Sequence, residues 1–152
     1  MGEVISSLDR ETLVLELNRL IHLDFDAIAA YEAALEHLHD PQYQDNLRNF
    51  MADHQRHTEE LAVYVRKYEG KPATSGDMKK VLTKGRVLMA SLGSDRRILE
   101  AMHANEDQTN AEYERAVQKL ADEPEVAAIL RRNLNDERRH RQWLVSTLDG
   151  LA

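Results

Sequence analysis

The 152-residue chain contains no cysteine, which excludes disulfides, thiolate zinc sites, iron–sulfur clusters and cysteine nucleophiles. Six glycines and three prolines leave little punctuation for a chain of many short strands, so helices are favoured. No apolar run approaches the roughly 20 residues that a membrane span needs. The start, Met-Gly-Glu-Val-Ile-Ser-Ser-Leu-Asp-Arg-Glu, lacks the basic and apolar regions of a secretory leader, so a soluble, cytoplasmic protein is expected. Gly2 with Ser6 and Ser7 matches a myristoylation signal only weakly. Basic residues are outnumbered, 20 Lys and Arg against 27 Asp and Glu. The net charge of −7 argues against a nucleic-acid binder, whose footprint is normally basic. Glycine-rich phosphate loops, Ser/His/Asp triads and nucleotide fingerprints are missing as well.

What the composition does hold is seven histidines. With no thiol available, a transition metal in this chain would need His and carboxylate ligands. Turn signals divide the sequence into four long helical segments. The first covers about 8–39, capped by Ser6 or Ser7, and the second about 42–69, with Pro41 at its opening. The third covers about 95–121, opening near Ser94, and the fourth about 124–149, opened by Pro124. Gly70 and Pro72 stop the second segment, and residues 70–94 form a connector with a short helix from about Asp77 to Leu92. The expected fold is all-α: one domain over residues 1–152, built as two antiparallel helical hairpins joined by a long crossover.

Each long segment carries an apolar seam at alternating steps of three and four. The first reads Leu13, Leu17, Leu20, Asp24, Ala27, Tyr31, Ala34, Leu38, and the second Leu47, Phe50, His54, His57, Leu61, Tyr64, Tyr68. The third reads Leu99, Met102, Glu106, Thr109, Tyr113, Ala116, Leu120. The fourth reads Val126, Leu130, Asn133, Glu137, His140, Leu144, Thr147, Leu151. The halves also repeat one another. Tyr31 aligns with Tyr113, which sets Asp24 opposite Glu106. Asp53-His54-Gln55-Arg56-His57 aligns with Asp136-Glu137-Arg138-Arg139-His140.

Helical rise turns these positions into depths. At about 1.5 Å per residue, Asp24 lies roughly 25 Å from the Pro41 turn, and His54 and His57 lie roughly 20 and 24 Å beyond it. Glu106 lies about 27 Å from the Pro124 turn, with Glu137 and His140 about 20 and 24 Å past it. Asp24, His54, His57, Glu106, Glu137 and His140 therefore share one level near mid-bundle. Carboxylates buried together repel and lose hydration, a penalty that a divalent cation removes. Glu137-Arg138-Arg139-His140 is a Glu-x-x-His motif, whose spacing sets both side chains on one helical face. A metal-free buried polar network is the alternative for the same residues.

On these residues the sequence resembles the ferritin-like superfamily of four-helix metalloproteins, which includes bacterioferritins and rubrerythrins, and is most similar to a small bacterial branch of that group. The resemblance covers about residues 8–149. It implies a ferritin-like four-helix bundle with a mid-bundle metal site. Glu106, Glu137 and His140 match the family's second half-site, and His57 matches the His of the first. Asp24 stands where a Glu is usual, and His54 where a bridging Glu is usual. Four carboxylates balance two divalent ions, whereas three leave a net charge of +1. One tightly held ion with a weaker second, or a pair completed by an external anion, is expected. Iron is the first expectation, with zinc or manganese as alternatives. The resemblance extends to redox activity towards oxygen, peroxide or Fe2+, as an oxidoreductase of ferroxidase or peroxidase type. A non-catalytic metal-binding or stress-related bundle, and a metal-free structural bundle, are the alternatives.

Tyr31 and Tyr113 fit two readings, core aromatics or hydroxyl donors that orient a ligand. Thr109 and Asn133 either support the site or line the core. Asp26 is read as solvated. His22, His37, His39 and His103 are read as surface residues, and Arg131, Arg132, Arg138, Arg139 and Arg141 as a solvated or ion-paired outer face. Trp143 marks a core edge or a contact between copies, since a homodimer is one possible assembly.

Overall fold

Helix starts are set by proline and by side-chain caps. Asp40 accepts a hydrogen bond from the Gln42 amide at 2.8 Å, and Pro41 takes the first helical position, where its missing N–H is no loss. Ser94 caps a later helix through the Arg97 amide at 3.3 Å, directly after Gly93 ends its predecessor with a φ of 77°. The computed structural model describes residues 7–151, with side chains from Arg10 onward. Its helices are α1 (Ser7–His37), α2 (Pro41–Lys67), α3 (Met78–Leu92), α4 (Asp95–Lys119) and α5 (Pro124–Gly150), with no strand among the described residues. The all-α expectation holds, and the four long helices end within two residues of the expected bounds. Gly2 and the cap expected at Ser6 lie outside the described residues.

The end of α2 is built differently from the expectation. Glu69, not Gly70, adopts the left-handed backbone, at φ 64°, and the Gly70 amide bonds to the Val65 carbonyl at 2.8 Å. Gly70 is needed for space. A Cβ on it would lie 2.5 Å from Cγ1 of Val14 on α1.

Helices α1 and α2 form one hairpin, and α4 and α5 the other. The connector starts against α1, where Asn18 accepts from the Ala73 amide at 2.7 Å and donates to the Lys71 carbonyl at 3.0 Å. It then climbs alongside α1. Gly85 of α3 would bring a Cβ within 3.1 Å of Ala33, and Arg86 pairs with Glu36. At the top, the Asp95 carboxylate accepts the His39 and Asp40 amides, both at 2.9 Å, which fastens the start of α4 to the α1–α2 turn. The long helices thus run up, down, down and up, with α1 beside α4 and α2 beside α5. No helix among the described residues is long and apolar enough to cross a membrane.

Every seam residue of α1 and α4 is buried. Near the end of α2, Val65 is buried and Tyr64 and Tyr68 only half so; at the end of α5, Leu151 emerges to 40% exposure. The apolar core falls into two blocks. One is centred on Leu17, Leu20, Leu61 and Leu130, the other on Leu38, Leu47, Leu99 and Leu144. Each fully buried side chain of this kind contributes about 1.5–3 kcal/mol. Trp143 belongs to the edge of the second block, packing edge-on against Phe50 and Tyr43 at 5.6 and 5.9 Å. Between the two blocks lies a polar layer.

Candidate metal centre

The layer contains Asp24 from α1, His54 and His57 from α2, Glu106 from α4, and Glu137 and His140 from α5, each 0% exposed. They make two overlapping groups: Asp24, His54, His57 and Glu137; and His54, Glu106, Glu137 and His140. Within each group the residues offer ligand atoms that all lie within 4.8 Å of one another. The structure therefore brings all six sequence-predicted residues into one cluster.

His54 faces both groups. Its Nδ1 lies 2.7 Å from Oδ1 of Asp24, and its Nε2 lies 3.2 Å from Oε2 of Glu106 and 3.4 Å from Oε2 of Glu137. His57 and His140 turn Nδ1 inwards, to Asp24 at 3.2 Å and to Glu137 at 3.1 Å. Phe50 stacks on the His140 ring, with centroids 4.3 Å apart, and fixes its plane. Tyr31 donates to Oε2 of Glu106, and Tyr113 to Oδ2 of Asp24, both at 2.5 Å. Each tyrosine thus serves the carboxylate of the other repeat. Thr109 donates to Oε1 of Glu106 at 3.1 Å, which places it among the site's supports.

Sequence reasoning missed four residues. Outward-facing Nε2 of His140 bonds to Asp53 at 2.7 Å, and that of His57 bonds to Asp136 at 2.9 Å. A carboxylate on the far nitrogen fixes ring orientation and raises the basicity of the inward one. Outside them, Arg56 reaches Asp53 at 3.2 Å and also pairs with Asp136. Arg139 reaches Asp53 and Asp136 at 2.7 and 3.1 Å. The two aspartates and two arginines close a square over the α2–α5 seam. Arg139 is exposed, as expected of an outer face, but it also holds the groups that orient the histidines. The signal was present: Asp and Arg recur in register in Asp53-His54-Gln55-Arg56-His57 and Asp136-Glu137-Arg138-Arg139-His140.

The charges are strongly coupled. Burial opposes a positive charge on His57, but Asp136 and Asp24 outweigh it and raise its pKa to about 8. In the same way Asp53, Glu106 and Glu137 hold His140 at about 10 against burial. Burial would raise Glu106, yet hydrogen bonds from His140 and His54 bring it down to about 2. Asp24 is lowered by His54 and His57, also against burial. Glu137 goes the other way. Burial raises it, and with repulsion from Glu106 and Asp24 it outweighs the attraction of His54 and His140. Among the described residues neither of its oxygens has an aligned hydrogen-bond partner, although Nδ1 of His140 and Nε2 of His54 lie 3.1 and 3.4 Å from Oε2. Two imidazoles beside Oε2 offset an ionised carboxylate there only in part, and Oε1 has no polar partner among the described residues. These buried His, Asp and Glu groups could hold a metal ion, and a mixed N/O donor set of this kind suits Fe, Mn, Zn, Co or Ni.

The other predicted positions supply no ligand atom to either group. Asn133 is fully buried one turn before Glu137, with neither side-chain polar atom hydrogen-bonded among the described residues. Asp26, His22 and His39 are exposed, and His37 and His103 half-buried. Arg132, Arg138 and Arg141 are exposed and pair with Glu60, Glu114 and Asp107. Arg131 is exposed too. The family model described as a domain of unknown function (DUF2383) matches residues 12–119, a span that contains Asp24, His54, His57 and Glu106. Neither a curated protein nor a solved structure gives a significant match.

Proposed function

We propose that this chain, which belongs to the DUF2383 family, is a ferritin-like transition-metal protein. Its centre would be formed by Asp24, His54, His57, Glu106, Glu137 and His140. The observation that carries this reading is the Glu137 carboxylate, fully buried with neither oxygen hydrogen-bonded among the described residues, in a cluster of imidazoles and carboxylates. Uncompensated burial of a charged group is costly, and a divalent cation supplies what the protein does not. Iron leads, with zinc or manganese as alternatives; a bound redox-active ion would supply electron exchange with oxygen, peroxide or Fe2+. The chain's own part is orientation and exclusion of water. Tyr31, Tyr113, Asp53 and Asp136 hold the ligands in place, and the Asp–Arg square with the two apolar blocks keeps the layer dry.

Elemental analysis of protein purified without chelator tests the reading, alongside Glu137→Ala and His140→Ala. Wild type should carry a transition metal and both variants should lose it. Negligible metal in folded wild type, or content unchanged by both substitutions, would refute it. Mixing the Fe2+ form with oxygen or peroxide then separates turnover from simple binding. Oxidation no faster than that of free Fe2+ would leave a binder.

A further inference from the structure

Resting on that metal-binding reading, we propose that the centre takes a single divalent ion, ligated by Nε2 of His54, Glu106, Glu137 and Nδ1 of His140. Asp24, His57 and Asp136 then form a hydrogen-bonded half that positions His54 and binds no ion. The two ligand groups share His54 and Glu137, so they are not independent sites.

Spacing separates the halves. Four ligand atoms around an ion at about 2.0–2.1 Å stand about 3.3–3.4 Å apart in a tetrahedron. In the α4–α5 half four of the six edges are 3.2 Å from His54 Nε2 to Glu106, 3.4 Å from His54 Nε2 to Glu137, 3.3 Å from His140 to Glu106 and 3.1 Å from His140 to Glu137, and the other two are within 4.8 Å. Oε2 of Glu137 sits at these distances from both imidazoles without hydrogen-bond alignment, as a ligand atom converging with them on a common centre would. On the α1–α2 side, Nδ1 of His54 and Oδ1 of Asp24 are only 2.7 Å apart, closer than ligands of one ion sit and ideal for a hydrogen bond. Tyr113 on Oδ2 of Asp24 has its counterpart in Tyr31 on Oε2 of Glu106, so it is the 2.7 Å contact that separates the halves. A neutral imidazole has one lone pair to give. With the Nδ1 proton directed at Asp24, that pair lies on Nε2, facing Glu106, Glu137 and His140.

The repeat shows why the halves differ. His54 occupies in the first repeat the place that Glu137 occupies in the second, so the first half lacks the carboxylate that would complete it. A four-coordinate set of two nitrogens and two carboxylates suits Zn2+, Co2+ or Fe2+.

The test uses Co2+, whose visible absorption is strong in four-coordinate and weak in six-coordinate sites. Full-length chain stripped of metal is titrated with Co2+, and stoichiometry is read by native mass spectrometry. One Co2+ per chain with four-coordinate bands is expected. His140→Gln should weaken binding by more than about 100-fold, beyond the range of groups that only orient a ligand, and His57→Gln by less than about 10-fold. His54→Glu should admit a second Co2+ by restoring the missing carboxylate. Two Co2+ per wild-type chain, or equal losses in His57→Gln and His140→Gln, would overturn the single-ion assignment while leaving the metal reading intact. No Co2+, Zn2+ or Fe2+ bound by folded wild type would remove both. Wild-type stoichiometry decides the matter even if a variant fails to fold.

Discussion

Replacing Glu137 by methionine should stabilise the metal-free protein while abolishing metal binding. Methionine is close to glutamate in length and carries no charge, and the site is wholly buried. Exchanging buried ionic groups for apolar ones of similar volume is often neutral or stabilising by about 1–4 kcal/mol. The gain here should sit low in that range, because His54 keeps Asp24 and Glu106, and His140 keeps Asp53 and Glu106. About 1–2 kcal/mol corresponds to roughly 2–8 °C in Tm for a chain of this length. The sign agrees with the raised pKa of Glu137: surroundings that disfavour the ionised form make its charge subtract from stability above its folded pKa. Thermal melts in chelator at pH 7.5 measure the effect. Adding metal should reverse the order, since an ion at 100 times its Kd stabilises wild type by about 2.7 kcal/mol and a variant that cannot bind it by nothing. A variant that melts below wild type in chelator would show that the imidazoles already compensate Glu137, and the case for a missing cation would fall.

Stability of the metal-free protein should also depend on pH. His57 and His140 have folded pKa values raised to about 8 and about 10, so their contribution is complete below about 6.5 and is lost as pH climbs through those values. Urea midpoints should therefore fall from pH 6.5 to 10, and a flat profile would contradict the pairing. Because His57 binds no ion in the single-ion site, Asp136→Asn should weaken metal affinity by less than about 10-fold, whereas Asp53→Asn, which frees the His140 ligand, should cost about 10–100-fold; competition with a chromophoric chelator reads both, and equal losses would contradict the assignment. Gly70→Ala should lower the unfolding free energy by about 1–3 kcal/mol through the clash with Val14, measured by urea denaturation, and an unchanged midpoint would show that α1 and the connector yield freely.

Much of this molecule was legible beforehand because helical rise is constant. Residue number alone therefore sets depth, which is why Asp24, Glu106 and the two His-bearing turns fall at one level. Neighbours across the bundle are a different matter. That Tyr31 reaches Glu106 and Tyr113 reaches Asp24 depends on α1 lying beside α4, a pairing that no periodicity within one helix encodes. Asp53 and Asp136 each sit one residue before the seam and look solvent-directed on their own helix. Only the approach of α2 to α5 turns them towards His140 and His57. Glu69 hid for a further reason. A glycine next to it was the natural candidate for the left-handed position, but close packing against Val14 claimed that glycine instead.

The exchanged bonds of the polar layer have a consequence for how the chain comes apart. Each tyrosine hydroxyl serves the opposite repeat, and so does each of the aspartates that hold His57 and His140. A hairpin detached from its twin would keep its charges and forfeit most of their partners at once. Half-open forms are therefore penalised as heavily as full separation, and the two hairpins should melt as a single cooperative unit. The layer that divides the apolar core in two is in this sense the rivet that makes the halves one folding body.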